Sequence, residues 1–287
     1  MIRRGGAALA AALLVAAGAA CAGTLADVRE KGVLEVAVYD AFAPFSYRDA
    51  SGRPAGIDVA VARELARRLG VKVDLRFQPA DESVDDDLRN AIWKGHYLGG
   101  GVADVMLHMP VDPNLARQID QVTFGGTYFQ EEIALAYATD AFDKPPGIAA
   151  FVDTPIGVEI ETLADGYLLS TMNGELRNSV RHYSNIPKAL EALRSGELKA
   201  VMGNRAEMQG SLREGDAIAI TRPSAPGLRL TSWDLGTAVK ATNAELAAAV
   251  NEAINAMNDD GTLDRLFAEH GVERLPPSSR KLSERGE

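Results

Sequence analysis

A lone cysteine, a shortage of positive charge and the lack of a catalytic signature exclude most function classes before any motif is considered. Cys21 is the only cysteine among 287 residues. It falls in an N-terminal stretch that reads as an export signal, so a chain cut after Ala22 carries no thiol. Disulfides, a thiol nucleophile and a cysteine metal site are then excluded. Lysine and arginine number 30 against 40 aspartate and glutamate, a formal charge of −10. That balance argues against nucleic acid, whose phosphates call for a basic stripe. It argues equally against docking on an anionic membrane, and it favours solubility. No Gly-x-Ser-x-Gly elbow is present, and His96, His108, His182 and His270 lack the spacing of metal ligands. The acidic run Asp81 to Asp87 departs from the order of a calcium loop. It suits the first turn of a helix, where acids oppose the helix dipole. No metal and no cofactor is expected.

Residues 1–22 are expected to be a signal peptide. Arg3 and Arg4 form a basic start, Ala7 to Ala17 is an apolar run, and Ala20-Cys21-Ala22 has the small-x-small form of a cleavage site. The run is too short to cross a bilayer, which takes ~20 apolar residues. The expected location is the periplasm. The alternative is a lipid anchor on Cys21, against which Gly18 stands where such signals carry leucine. Cleavage leaves 265 of the 287 residues and, without Arg3 and Arg4, a formal charge of −12. That length suffices for one large core or two lobes.

Beyond the signal, short β-branched runs alternate with amphipathic helices, the pattern of an α/β fold with a mixed, mostly parallel sheet flanked by helices. Strands are predicted at 33–39, 71–77, 103–109, 132–138, 155–158, 180–183, 199–202, 217–221 and 235–240. Helices are predicted at 59–69, 85–93, 162–172, 186–194, 243–257 and 262–270. In the first of these, Val61, Leu65 and Leu69 recur at helical spacing and Gly70 closes the end. The pattern restarts after Pro145-Pro146-Gly147. Two lobes are therefore expected, residues 23–136 with 234–272 and residues 137–233, joined by a two-strand hinge. Residues 273–287 are expected to be a disordered polar tail. The glycine-rich stretch from His96 to Gly101 reads as a loop insertion, since no Lys-Ser or Lys-Thr follows it as in a phosphate loop.

An ordered set of motifs identifies a resemblance. Phe42-Ala-Pro-Phe-Ser-Tyr47 follows the first strand, Gly56-Ile-Asp58 opens a helix, and Gly101 to Asp104 precedes an apolar strand. Arg117 comes before the aromatic patch of Phe124, Tyr128 and Phe129, and Ala200-Val-Met-Gly-Asn204 follows a helix. In this order, from about Val33 to Gly271, they resemble the family 3 solute-binding proteins of bacterial ABC importers, the polar amino acid type. The resemblance implies a two-lobed periplasmic-binding-protein-like monomer that closes on a ligand and delivers it to a membrane permease. It implies that Phe42 stacks on the ligand, with Asp58 near the lobe junction and Arg117 for a ligand carboxylate. It also implies a helix start at Thr162 and a polar contact at Asn204. His108, at the end of a strand where α/β ligands gather, joins this set.

The departures from the family pattern cluster. Ala60 replaces a common second aspartate, and Asp112-Pro-Asn-Leu-Ala-Arg117 lacks the threonine of Thr-x-x-Arg. Glu161 stands in place of glycine, and Asn204 replaces the aspartate that receives an α-ammonium. The expected ligand is therefore small, polar and anionic rather than an ordinary α-amino acid. Two alternatives are open. One is an accessory protein that engages a periplasmic quinoprotein (methanol-type) dehydrogenase or its cytochrome. The other is a dehydratase-like enzyme built on Glu161 and His108.

Overall fold

The computed structural model describes residues 23–97 and 99–278. The expected signal peptide with Cys21, Leu98 and residues 279–287 lie outside that range. The chain opens with α1 (Leu25–Lys31), where Thr24 and Asp27 form a reciprocal capping box. Then come β1 (Val33–Tyr39), a hairpin of β2 (Tyr47–Arg48) and β3 (Pro54–Ala55), α2 (Ile57–Leu69) and β4 (Lys72–Gln78). Next, α3 (Val84–Leu88) runs into a π-helical turn at Arg89–Trp93, followed by β5 (Val105–Pro110), α4 (Pro113–Gln118) and the 17-residue β6 (Val122–Ala138). The second half holds β7 (Ile156–Glu159), α5 (Leu163–Ser170), β8 (Val180–Tyr183), α6 (Ile186–Arg194), β9 (Ala200–Asn204), α7 (Arg205–Gly210) and β10 (Ile218–Thr221). The chain returns through β11 (Ser232–Lys240), α8 (Ala244–Asp259) and α9 (Thr262–Ala268).

The strands lie in the order β4-β1-β5-β11-β6-β9-β7-β8, with β10 also on β6. β1 is parallel to β4 and β5, and β7 is parallel to β8 and β9. β6 serves two lobes. Its part from Val122 to Glu132 pairs with β11, and from Ile133 onward it pairs with β9 and β10. The result is a two-lobed α/β fold.

Burial explains why each element forms. α2 sinks Val61, Leu65 and Ala66 against β1, α8 and α9, while Arg63 and Arg67 stay wet. Leu88, Ile92 and Met106 cover the opposite face of that sheet, and separate apolar clusters line both faces of the second sheet. Trp233 packs against the cores of both lobes.

β6 begins at Val122, ten residues before the expected strand. Gly125-Gly126 and Glu131-Glu132 read locally as breaks, but the sheet absorbs both. Gly126 sits at φ +50, where a Cβ would meet Thr237 Oγ1 at 2.9 Å, beside a register shift in β11. The disordered tail expected from residue 273 onward is corrected for 273–278. Arg274 donates from Nη1 to Tyr128 O and Asn258 Oδ1, both at 2.8 Å, and Gln130 N donates to Leu275 O at 3.0 Å.

Candidate functional site

The segment after β1 folds back on itself: Phe42 N donates to Ser46 O and Ser46 N to Phe42 O, each at 2.8 Å. Its carbonyls then serve the start of α2, since Ile57 N donates to Pro44 O at 3.0 Å and Asp58 N to Phe45 O at 2.8 Å. This close approach requires glycine at the N-cap. Gly56 has φ +113, and a Cβ there would lie 2.3 Å from Phe45 O. With the first amides satisfied by backbone, the Asp58 side chain is free for another task and caps nothing.

That side chain points into the core. Asp58 is fully buried; Tyr128 donates its hydroxyl to Oδ1 at 2.7 Å, and His108 Nδ1 lies 3.1 Å from Oδ2. The Tyr128 hydroxyl also accepts from His108 N at 3.0 Å, which closes a ring of three residues. His108 holds a left-handed backbone at φ +63, a conformation that persists only where its surroundings over-determine it. Burial and the Asp58 charge push the Tyr128 hydroxyl well above its ordinary range, so it stays a donor. The His108 ring packs at 5.0 Å from Phe42 and 4.2 Å from Phe45, edge-on in both pairs.

Phe42, His108 and Asn204 meet in one cavity of about 320 Å³, with Tyr39, Trp233 and Leu235 as further walls. None of its lining residues is lysine or arginine. Asn204 ends β9 and enters from the second lobe. It donates from Nδ2 to Glu207 Oε1 at 2.7 Å. Behind that contact is a group of buried acids. Burial, reinforced by Glu159 and Glu131, pushes Glu207 up to about 8, and burial pushes Glu131 up to about 7. Glu131 accepts from Glu132 N and Ala206 N through Oε1, while its Oε2 is buried without a hydrogen-bond partner.

Two expected site residues lie elsewhere. Arg117 is on the exposed side of α4 and bonds Asn114 of its own helix. Asp112 caps that helix by accepting from Asn114 N and Leu115 N. Thr162 caps α5, accepting from Asp165 N at 3.3 Å and donating to Glu159 O at 2.8 Å. It lines a separate surface groove with Glu161, not the cavity of Phe42 and His108.

Residues 34–92 match the family model described as bacterial extracellular solute-binding proteins, family 3. The L-cystine-binding protein TcyJ of Escherichia coli (strain K12) is 27% identical over 260 residues, covering 85% of this chain and 84% of that protein. The chain is thus similar to family 3 solute-binding proteins, by a family-model match over residues 34–92 and by remote likeness along most of its length. A "Probable histidine-binding protein" of Neisseria gonorrhoeae is 22% identical over 240 residues, covering 83% of this chain and 82% of its own. Among solved structures, an ancestral cationic amino acid solute-binding protein superposes with a TM-score of 0.69 at 23% identity. It spans 86% of this chain and 99% of its own, and shares the two-lobed fold.

The sequence alone does not single out Tyr128, Glu131, Glu207 and Trp233. Tyr128 was visible only as part of an aromatic patch. A signal for Glu207 was present, because it follows Asn204 by three residues, one helical turn. The adjacent acids Glu131 and Glu132 within an apolar run were the other sign, since acids are almost never fully buried without a reason.

Proposed function

We propose that this protein is a family 3 solute-binding protein that is exported to the periplasm, closes on one small polar ligand between its lobes, and hands it to the permease of an ABC importer. The observation that carries the reading is His108, backed by buried Asp58 and sharing one cavity with the Phe42 ring and Asn204. A cavity of about 320 Å³ with an aromatic wall and few directed polar groups suits a ligand of amino-acid size. Asp58 holds Nδ1 and so leaves Nε2 as the ring nitrogen for the ligand. With no lysine or arginine in the lining, the His108 ring is the side chain that meets a polar end of the ligand.

In this reading Phe42 stacks, His108 and Asn204 make the polar contacts, and Asp58 positions His108 from behind. Arg117 and Thr162 stand outside the contact set. The related L-cystine- and histidine-binding proteins support an amino acid or an amino-acid-like acid as cargo. Closure follows from the ligand's preference for the shut state.

The test is a thermal-shift screen with L-cystine, L-histidine, L-arginine, L-glutamate and small dicarboxylates, followed by small-angle scattering. The expected result is one ligand that raises Tm and shrinks the radius of gyration, with both effects lost in His108→Ala. A panel without any shift, together with capture of a periplasmic quinoprotein dehydrogenase or cytochrome, would replace transport with the accessory role.

A further inference from the structure

The first lobe holds a second and larger cavity, about 740 Å³ against about 320 Å³ between the lobes. It lies on the face of β1 opposite α2, lined by the π-helical turn and by Gly99, Gly100 and Gly101. The space exists because alanines build its floor. Ala37 of β1, Ala91 of the π-helical turn and Ala103 ahead of β5 are all buried, where a packed core would carry larger side chains.

Three observations distinguish this chamber from a packing gap. The π-helical turn at Arg89–Trp93 delivers Asn90 and Ala91 to it, and such turns are rare and concentrate at functional sites. Its walls are polar as well as apolar, with Gln78, Asn90, Asp81 and Asp87 among them, whereas dry voids have apolar walls. Its charge is also unbalanced. Arg76 donates from Nη2 to Glu35 at 2.7 Å and from Nη1 to Gly100 O, so its charge is paired with Glu35, while its Nε is buried without a hydrogen-bond partner.

Asp81 and Asp87 have no lysine or arginine partner among the described ion pairs. They are instead held in place by neutral donors. Tyr39 donates its hydroxyl to Asp87 Oδ2 at 2.6 Å, Asp81 N donates to Asp87 Oδ1 at 2.7 Å, and Asn90 Nδ2 to Asp81 Oδ2 at 2.9 Å. Burial holds Asp87 above its ordinary range, a penalty that a bound cation relieves.

We infer that this chamber is a second small-molecule site, separate from the interlobe cavity, that takes a compact organic cation with a flat apolar body. The charge sits toward Asp81 and Asp87, and the body lies on the floor of Ala37, Ala91 and Ala103. The two cavities abut at Ala80, which lines both, and at the Tyr39–Asp87 hydrogen bond, which joins a wall of each. The inference is independent of what the interlobe cavity binds.

Benzamidine is the probe, with benzamide as its neutral counterpart, titrated into the whole protein carrying labelled alanine methyls. Saturable shifts at Ala37, Ala91 and Ala103 are expected, with benzamide weaker by about tenfold or more. Ala91→Leu fills the floor and is expected to weaken benzamidine by about tenfold. Should Ala91→Leu fail to fold, Asp81→Asn, at an exposed position, is expected to lower benzamidine affinity while leaving benzamide unchanged. Equal binding of benzamide and benzamidine would overturn the proposal. Methyl shifts confined to Ala41 at the interlobe cavity, or no shifts at all, would also overturn it.

Discussion

Replacing Glu207 by glutamine should make the protein less sensitive to alkali. Glu207 is 6% exposed, and burial with acidic neighbours pushes it from 4.5 up to about 8. The folded state therefore keeps a proton that the unfolded chain releases near pH 4.5. Stability is fully present below that unfolded value and is lost as pH rises toward the folded one. Each pH unit inside the window costs about 1.4 kcal/mol. Between pH 6 and pH 8 the loss through this residue comes to about 2 kcal/mol, because the slope flattens near the folded value. At about 2–4 °C per kcal/mol, Tm should fall by roughly 4–8 °C over that interval. Glu131, pushed up to about 7, adds a loss of the same sign at lower pH. Glutamine keeps the shape and hydrogen bonding of the neutral acid and has no proton to lose. Calorimetric scans of both proteins across pH 5–9 should show a Tm difference that widens with pH, by roughly 4–8 °C between pH 6 and pH 8. Parallel curves would refute the assignment of a retained proton to Glu207.

Gly56→Ala should destabilise by about 3 kcal/mol or more, since a Cβ 2.3 Å from Phe45 O at φ +113 forces the Phe42 turn away from α2. Urea unfolding within about 1 kcal/mol of the parent would contradict it. Tyr128→Phe removes a donor to Asp58 and an acceptor from His108 N, and should cost about 2 kcal/mol in the same assay. Arg274→Ala severs contacts with Tyr128 O, Asn258 and Asp264 from a side chain only 6% exposed, and should cost about 2 kcal/mol. It should also expose residues 273–278 to limited proteolysis, and an unchanged cleavage pattern would count against the role of this strap.

The elements with a clean local period were legible: β1, α2, β4 and α6 fall within two residues of their expected bounds. Their burial is set by one face, and the period reports that face directly. β6 was cut short because glycine and glutamate are poor strand formers. Pairing on both sides, with β11 and then with β9 and β10, outweighed that local preference. Phe42, expected from the family resemblance, and His108, expected from its place near a strand end, both line the interlobe cavity. The task of Asp58 could not be read, because an aspartate at a helix start is locally a cap. Only the fold brings Pro44 and Phe45 carbonyls to the amides and Tyr128 to the carboxylate.

The same lesson applies to the missing charge at Asn204. The family resemblance implies an aspartate there, and the acid instead stands one layer back, with Glu207 Oε1 2.7 Å from Asn204 Nδ2. An ionised Glu207 only accepts, so it holds the amide nitrogen and turns Asn204 Oδ1 toward the cavity. A protonated Glu207 still offers its carbonyl oxygen to Nδ2 but gains an O–H that can donate to Oδ1 in the flipped amide, which frees Nδ2 for the ligand. Because burial pushes Glu207 up to about 8, the protonated form dominates at neutral pH, and the second lobe then offers a donor that suits an anionic group. The predicted result is that affinity for an anionic ligand falls through about pH 8 in the parent. Glu207→Gln can present either orientation at any pH, so its affinity should lack that step. Isothermal titration of both proteins across pH 6–9, with the ligand from the thermal-shift screen, reads the difference. Identical pH profiles would show that Glu207 does not govern the Asn204 amide.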